Sequence, residues 1–221
     1  MRILDVPARA DRRLVAAFAT MVTPHLSDSM DRLYGAGPLL RPMHDGTTLA
    51  GSAFTVKTSP GDNLLVHKAL DIAQPGDVIV VDAGGACEQA IVGGIMAGWA
   101  ARRGIAGLVI WGAIRDSAEL RAGSFPVYAC GVSHRGPYKN GPGEINVPIV
   151  IGGMSVQPGD IIVGDADGVV AVPQAIAEDV LASARAIRDK EALAMDEIRA
   201  GTFDRAWVDR ALRDKGYLPP G

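Results

Sequence analysis

The stretch DVIVVDAGGACEQAIVGGIMAGWAARRGIAGLVIWG, residues 77–112, decides the fold of this chain. Its two ends, 77–82 and 107–112, are short and almost wholly apolar, a composition typical of strands that are covered on both faces. The segment between them, 88–104, has apolar residues at helical spacing and ends at Gly104. A strand–helix–strand run of this kind predicts a βαβ unit with parallel strands and a right-handed crossover.

The flanking sequence predicts further elements on both sides of this unit. In chain order, the pattern indicates two helices within 10–34 with the second beginning at Pro24, a strand at 48–59, a helix from Asn63 to Ala73, short strands within 125–132, 145–153, 154–165 and 167–173, a long helix from Gln174 to Ala200 stopped by Gly201, and a short helix in the tail. The chain is therefore expected to be an α/β protein with helices at both termini.

Size and composition limit the possible classes of protein. The 221 residues, 48% of them hydrophobic, suit a single domain with a sizeable core, and we expect one domain over 1–221. A net charge of −3 without a basic block argues against a nucleic-acid partner. The absence of a long apolar run and of a signal segment predicts no membrane partner and a cytoplasmic location. Cys87 and Cys130 lie far apart in sequence, and we expect two reduced thiols.

One motif occurs twice. QPGDVIVVDA at 74–83 returns as QPGDIIVGDA at 157–166, in each case a Pro-Gly turn followed by a strand that ends at an aspartate. Independent use of the same turn chemistry is the simpler interpretation, and an internal repeat is the alternative.

The βαβ unit also predicts where a ligand would bind. Loops that leave the carboxyl ends of parallel strands lie side by side, and here they are 82–85 and 112–116. Gly93 and Gly94, inside the expected helix, each cost about 1 kcal/mol relative to alanine. The glycines are explained either by an anion that approaches backbone amides near the helix N-terminus, or by close helix packing or a helix that starts only at Gly94.

Arg115 and Asp116 leave the second strand together and allow two interpretations. They form a solvated surface ion pair, or they have separate roles in one binding site. In the second case the arginine holds a carboxylate in a two-bond fork and the aspartate is a hard ligand for Mg²⁺. Such an ion would polarise the carbonyl of a 2-oxo acid. Asp62 and Asn63 suit helix capping first and site lining second. The polar loop 135–146 is expected to line a site or a subunit contact.

At this point the chain resembles a known family. The resemblance extends from about Ser27 to Gly201, and it rests on five segments: GDN at 61–63, VVDAGG at 80–85, Gly94 followed twenty-one residues later by Arg115-Asp116 and then Glu119, RGPYKNGPGEINVP at 135–148, and GDADGVVAVP at 164–173. The chain is similar here to the regulators of ribonuclease activity A and the 4-hydroxy-4-methyl-2-oxoglutarate aldolases. This resemblance implies a layered β/β/α sandwich of the swivelling-domain kind, and a trimer or hexamer with sites at subunit interfaces.

The resemblance also implies an activity. The aldolases are lyases that use a divalent metal to release pyruvate and that also decarboxylate oxaloacetate. The chain is therefore expected to act on a small 2-oxo acid with Mg²⁺ or Mn²⁺, and the alternative is a non-catalytic regulator that binds a ribonuclease. The long C-terminal helix is expected to dock on a second subunit through Ile176, Val180, Leu181 and Ile187.

Particular residues take roles from the same resemblance. Arg115 matches the arginine that binds the pyruvate carboxylate and carbonyl, Asp116 matches the metal ligand, and Gly93, Gly94, Ile95 and Met96 match the backbone that binds the carboxylate. Glu191 matches a catalytic glutamate that a neighbouring subunit supplies from its C-terminal helix. Gly94 departs from the aldolase pattern, which has an aspartate lining the metal site at this position, and this departure puts efficient aldol cleavage in doubt.

Overall fold

The computed structural model describes residues 2–5 and 8–219, and these fall into two compact units, Met1–Ala184 and Arg185–Gly221. The strands are β1 (Arg2–Ile3), β2 (Arg41–Pro42), β3 (Leu49–Thr58), β4 (Asp77–Asp82), β5 (Ala90–Val92), β6 (Gly107–Ile114), β7 (Val127–Val132), β8 (Gly143–Ile145), β9 (Ile149–Ile151), β10 (Met154–Val156), β11 (Ile161–Gly164) and β12 (Val169–Val172). The helices are α1 (Arg12–Phe18), α2 (Thr23–Ser29), α3 (Leu64–Ile72), α4 (Gly94–Arg102), α5 (Ser117–Ala122), α6 (Ala177–Ala200) and α7 (Ala206–Asp214). None of the described helices is long and apolar enough to cross a membrane.

A large mixed sheet of ten strands organises the first unit, with β1-β8-β3-β4-β6-β7-β2 as its main order. Strands β3, β4, β6 and β7 are parallel neighbours, and β11 continues the sheet by antiparallel pairing with β3 and β12. Strands β9 and β10 form a separate antiparallel pair. Because β4 and β6 are parallel and α4 lies between them in the chain, the predicted βαβ unit is confirmed.

Alternation along the central strands builds a core on each face of the sheet. Ile79 and Val81 pack with α3 and α4 in one core, whereas Val78 and Val80 pack with residues of β9, β10 and β12 in the other. All four side chains are completely buried, which is why DVIVVD reads as a continuous apolar run. The chain thus has a mixed α/β fold in which helices cover one face of the sheet and further strands cover the other.

A third core joins the N-terminal helices to the first turns of α6. Phe18 of α1 and Leu26 of α2 are completely buried, and Val180 and Leu181 of α6 pack in the same cluster. The expectation that Val180 and Leu181 dock on a second subunit is therefore wrong, because these side chains already fill the core of their own chain. The exposed apolar residues lie further along the C-terminal segment, at Leu193, Met195, Ile198 and Trp207.

The crossover segment differs from the expected helix over 88–104. Residues Ala90–Val92 form β5, a strand parallel to β6, and the helix begins only at Gly94, as the alternative interpretation of the glycines allowed. Ile91 and Val92 are buried, and their β-branched side chains suit a strand. In the sequence, the apolar residues of β5 and those of α4 together show the spacing of a single helix.

The remaining predicted elements are largely confirmed. Strand β3 and helix α3 fall within 48–59 and 63–73, and Pro24 lies at the second residue of α2. The segment 10–34 is less helical than predicted, because Asp31 and Arg32 take positive φ values soon after α2 ends.

Cys87 and Cys130 are free thiols, as expected, and burial raises the pKa of Cys130 to about 11.

The repeated QPGD motif folds into the same turn twice. The backbone N–H of Gln74 donates to Asp77 Oδ2 at 2.8 Å, and the backbone N–H of Gln157 donates to Asp160 Oδ2 at 2.8 Å. The following strands differ, since β4 has parallel neighbours and β11 has antiparallel ones, which favours shared turn chemistry over a repeated unit. Arg9 forms a two-bond ion pair with Asp77, whereas no such cation is paired with Asp160 among the described residues.

Asp160→Asn is expected to stabilise the protein at pH 8. Burial raises the pKa of Asp160 to about 6, so the folded state disfavours the ionised form. Because the folded protein binds a proton at Asp160 more tightly than the unfolded chain, protonation stabilises the fold. This stabilisation is complete below pH 4 and is lost as the pH rises through about 6. We expect a gain of ~1–3 kcal/mol for the neutral asparagine at pH 8, and little difference at pH 4. Urea unfolding at both pH values measures it.

Asp77→Asn is the matched control for this prediction. It removes the charge from the same turn where Arg9 compensates it, so it should destabilise the fold at pH 8. Equal destabilisation by both substitutions at pH 8 would contradict the assignment of an uncompensated carboxylate to Asp160.

Candidate functional site

The candidate site lies where β6 ends. The Arg115 amide still donates to the Val92 carbonyl of β5 at 2.9 Å, and the chain then turns at Asp116 into α5. Asp116 adopts a left-handed conformation with φ 58° and ψ 35°, which is uncommon for a residue other than glycine. Asparagine and aspartate tolerate this conformation better than most residues, and such positions cluster at functional sites.

Arg115 and Asp116 are not tightly paired with each other. The distance from Arg115 Nε to Asp116 Oδ2 is 3.8 Å, and both side chains are a little under half exposed. The same Asp116 oxygen accepts a hydrogen bond from the Gly94 amide at 2.9 Å. The carboxylate is thus held at the N-terminus of α4, and the outer nitrogens of Arg115 donate to no acceptor within 2–5 and 8–219.

Glycine at 93 and 94 is explained by what surrounds these positions. A Cβ at Gly93 would lie 2.5 Å from Asp116 Oδ2 and 2.9 Å from Arg115 Cγ. A Cβ at Gly94 would lie 2.6 Å from Glu119 Oε2. A Cβ at Gly136 would lie 3.4 Å from Arg115 Nη1. Bare backbone at these places therefore lets the side chains of Arg115, Asp116 and Glu119 pack directly against the main chain.

The amides that open α4 are only partly used within the chain. Gly94 donates to Asp116, and Met96 donates to the Gly93 carbonyl at 3.1 Å. The Ile95 amide donates to no acceptor in the described part of the chain, and the Ile95 side chain is 86% exposed. Free N–H groups at a helix N-terminus favour an anionic ligand.

Asn63 belongs to the site although it was expected first as a capping residue. It lines a small cleft of about 30 Å³ together with Gly93, Met96, Arg115 and Asp116. Its Nδ2 donates to the Ile91 carbonyl at 2.9 Å, which fixes the orientation of the amide. Its Oδ1 is buried and has no partner among the described residues. The orphaned acceptor indicates that a ligand or water donates to it, because buried polar groups are nearly always paired.

Asp62 attaches the 135–146 loop to the site. Its Oδ2 accepts from the amides of Asn140 and Gly141, and its Oδ1 accepts from the Leu64 amide at the start of α3. Pro137 of the same loop lines the cleft. Capping is thus confirmed for Asp62, and site lining is confirmed for Asn63, whose side chain makes no capping hydrogen bond. The loop lines the cleft through Pro137.

Glu119 is a second carboxylate, to which the sequence analysis assigned no role in the site. It follows Asp116 by three residues and α5 begins between them, so both carboxylates reach the N-terminus of α4. Sequence spacing was the available signal, since residues three apart share a helix face. Glu119 now fills the space beside Gly94, so the site keeps a second acidic group without an aspartate at position 94.

The donor set suits a divalent ion that keeps most of its water. Two carboxylates, from Asp116 and Glu119, are the hard oxygen ligands that Mg²⁺ prefers, and Mg²⁺ commonly uses only one or two protein carboxylates. Within 2–5 and 8–219, no three His, Cys, Asp or Glu side chains form a cluster able to hold a metal. Any ion here would therefore depend on Asp116, Glu119, water and ligand oxygens. Glu191 lies on α6 within the second unit, and its predicted catalytic role stays a prediction.

The fold and this cleft define an α/β protein with a carboxylate-bearing cleft at the end of a parallel strand, beside a helix N-terminus. Residues 23–171 match the RraA-like family, described as Aldolase/RraA. A protein of Halalkalibacterium halodurans is 41% identical over 211 residues, which cover 96% of each chain, and its name proposes a 4-hydroxy-4-methyl-2-oxoglutarate aldolase. The chain belongs to the RraA-like family.

Solved structures support the same assignment. An uncharacterized protein from Pseudomonas syringae has a TM-score of 0.80 and 31% sequence identity, and the match covers 90% of this chain and 95% of that one. The RNA-processing inhibitor RraA of Thermus thermophilus has a TM-score of 0.64 and 33% identity, covering 69% of this chain and 92% of that one. The names of the relatives thus include both an aldolase and a regulator of RNA processing.

Proposed function

We propose that the protein is a divalent-metal-dependent lyase that cleaves a carbon–carbon bond of a 2-oxo acid and releases pyruvate. The proposed substrate is 4-hydroxy-4-methyl-2-oxoglutarate, with oxaloacetate decarboxylation as a second activity. One observation carries the proposal: Arg115, the carboxylates of Asp116 and Glu119, and the first amides of α4 all meet at one strand end. The name of the full-length relative supports the same reaction.

The residues of the cleft divide the recognition of a 2-oxo acid between them. The Arg115 guanidinium and the Ile95 amide bind the C1 carboxylate, since both are donors that face the cleft. Asp116 and Glu119 would hold Mg²⁺ or Mn²⁺. The ion would supply a Lewis acid, which polarises a 2-oxo carbonyl and stabilises negative charge on its oxygen. Asn63 Oδ1 accepts a hydrogen bond from a water molecule or from a hydroxyl group of the substrate.

The proposed cleavage balances without a further reactant. The 4-hydroxyl group loses its proton, the C3–C4 bond breaks, and C4 becomes the carbonyl carbon of one pyruvate. C3 takes up a proton and becomes the methyl group of the second pyruvate. A general base and a general acid are therefore needed. We propose Glu191, supplied by a second copy of the chain, as the carboxylate that moves these protons.

The wild-type protein tests the proposal directly. Pyruvate release from 4-hydroxy-4-methyl-2-oxoglutarate and from oxaloacetate should require Mg²⁺ or Mn²⁺ and should stop when a chelator is added. Failure to release pyruvate from either compound with either metal would refute the lyase proposal.

The similarity to the RNA-processing inhibitor of Thermus thermophilus favours a second candidate function, the regulation of a ribonuclease. This function requires a protein partner and no metal at the cleft. Ribonuclease binding that persists with a chelator and in Arg115→Lys, together with absent lyase activity, would favour the regulator.

We also propose that the protein is a homotrimer or a pair of trimers. Ile95 lines the cleft and is 86% exposed, and Trp99, one turn later on α4, is 50% exposed. Large apolar side chains that share one helix face beside a site are typical of a protein contact. Light scattering is expected to give the mass of a trimer or hexamer, and Trp99→Glu is expected to reduce it. A wild-type monomer at micromolar concentration would contradict this assembly.

A further inference from the structure

A second cavity, here called the 132–134 cavity, also lies against Arg115 and Asp116. It measures about 300 Å³ and is lined by Arg115, Asp116, Val132, Ser133 and His134. The small cleft that contains Asn63 measures about 30 Å³ and shares Arg115 and Asp116 with it. The small cleft and the larger cavity are therefore neighbours at Arg115 and Asp116.

Among the residues that line the 132–134 cavity, His134 has a side chain that is not used within the described part of the chain. The Ser133 hydroxyl donates to the Glu88 carbonyl at 2.7 Å and accepts from the Arg135 amide at 3.3 Å. Asp116 is held by the Gly94 amide. The His134 side chain has no hydrogen bond or ion pair within the described residues and is exposed to the cavity. Beside it, Val132 is 48% exposed and offers an apolar surface.

The backbone that carries His134 is fixed to the strands of the site. The Ser133 amide donates to the Ile114 carbonyl at the end of β6, and the Arg135 carbonyl accepts from the Ala90 amide at the start of β5, both at 2.9 Å. Both neighbours of His134 are therefore held by the strands that place Arg115 and Gly93. Because this backbone is already fixed, few groups lose conformational freedom when a ligand binds. This favours the affinity and selectivity of the site.

We propose that the 132–134 cavity holds the part of the substrate beyond the bond that breaks, and that His134 donates a hydrogen bond to a second carboxylate there. The inference rests on the proposed function for the position of the substrate head. A carboxylate is the matching group because an imidazole N–H donates to it, and Arg115 adds positive charge to the same cavity. Val132 would contact an apolar substituent such as a methyl group. His134 is thereby a specificity-determining residue that selects dicarboxylic 2-oxo acids.

Binding of two uncleaved analogues tests the inference. 2-Oxoglutarate has a second carboxylate at C5, and 2-oxopentanoate has the same carbon chain without it. Calorimetry with Mg²⁺ present should give wild-type protein a preference of about tenfold or more for 2-oxoglutarate, the effect of one charge-assisted hydrogen bond. His134→Ala should reduce this preference to near unity, and His134→Gln, which keeps an N–H donor, should retain part of it.

His67→Ala is the matched control, because His67 is an exposed histidine on α3 that lines neither the cleft nor the cavity. It should keep the wild-type preference. An unchanged preference in His134→Ala, or a wild-type protein that binds neither analogue or both equally, would overturn the inference. Because the analogues are not cleaved, a His134-dependent preference without pyruvate release would refute the lyase proposal and leave this inference standing.

Discussion

Asp116→Asn is expected to remove nearly all metal-dependent lyase activity and to leave the fold intact. Asparagine tolerates the left-handed conformation at this position, and its Oδ1 can still accept the Gly94 hydrogen bond. The substitution therefore removes little besides the charge of a proposed metal ligand. Loss of an outer-sphere partner alone typically costs about 10- to 100-fold in metal affinity, so loss of a direct ligand should cost ~100-fold or more. Oxaloacetate decarboxylation titrated with Mg²⁺ measures the effect.

A surface ion pair elsewhere in the chain provides the control for Asp116. Asp28 and Arg32 form a 2.8 Å pair on α2 and the following turn, and Asp28→Asn should keep both activity and metal requirement. Both substitutions should change stability by about 1 kcal/mol or less, as is usual for exposed pairs. If Asp116→Asn also kept the wild-type metal requirement, Arg115 and Asp116 would be reduced to a surface ion pair.

Arg115→Lys is the second substitution with a large expected effect. Lysine keeps the charge but cannot form a two-bond fork with a carboxylate. Each lost charge-assisted hydrogen bond contributes roughly 1.5–3 kcal/mol, which corresponds to a loss of ~10- to 150-fold in kcat/KM. A Cβ at Gly93 would lie 3.1 Å from Arg115 Nε and a Cβ at Gly136 would lie 3.4 Å from Nη1, so both glycines leave room for the guanidinium.

Arg121→Lys serves as the comparison for Arg115→Lys. Arg121 lies in the last turn of α5 and lines neither the cleft nor the 132–134 cavity. Its kcat/KM should match that of the wild type. A value for Arg115→Lys within about twofold of wild type would show that the fork makes no contribution to the transition state.

Elements whose apolar residues follow a single periodicity along the sequence were predicted well. Residues 77–82 are apolar on both faces because the sheet is covered on both faces, and the run could be recognised for this reason. Strand β5 was missed because Ile91 and Val92 stand at positions that also fit the helical spacing of Ile95 and Trp99. The pairing of β5 with β6 depends on contacts outside the segment, which a local pattern does not contain.

The site was predicted in position but not in detail. Strand order placed Gly93, Gly94, Arg115 and Asp116 near one another, and the structure brings all four together. The spacing alone did not show that Asp116 would bind the Gly94 amide, since this depends on the left-handed turn at Asp116. The spacing placed Glu119 three residues after Asp116, but its approach to Gly94 depends on how α4 and α5 pack. With glycine at position 94, the Glu119 carboxylate lies against the backbone at the start of α4.

The measurement that tests the central claim most directly is the coupled binding of Mn²⁺ and pyruvate to the wild-type protein. If Asp116 and Glu119 hold the ion beside the ligand that Arg115 binds, each ligand should tighten the other by the same factor, about tenfold or more. Electron paramagnetic resonance of free Mn²⁺ and calorimetry of pyruvate measure the two sides of this linkage. Pyruvate that binds equally well with Mn²⁺ and with a chelator would contradict the proposed metal-dependent site.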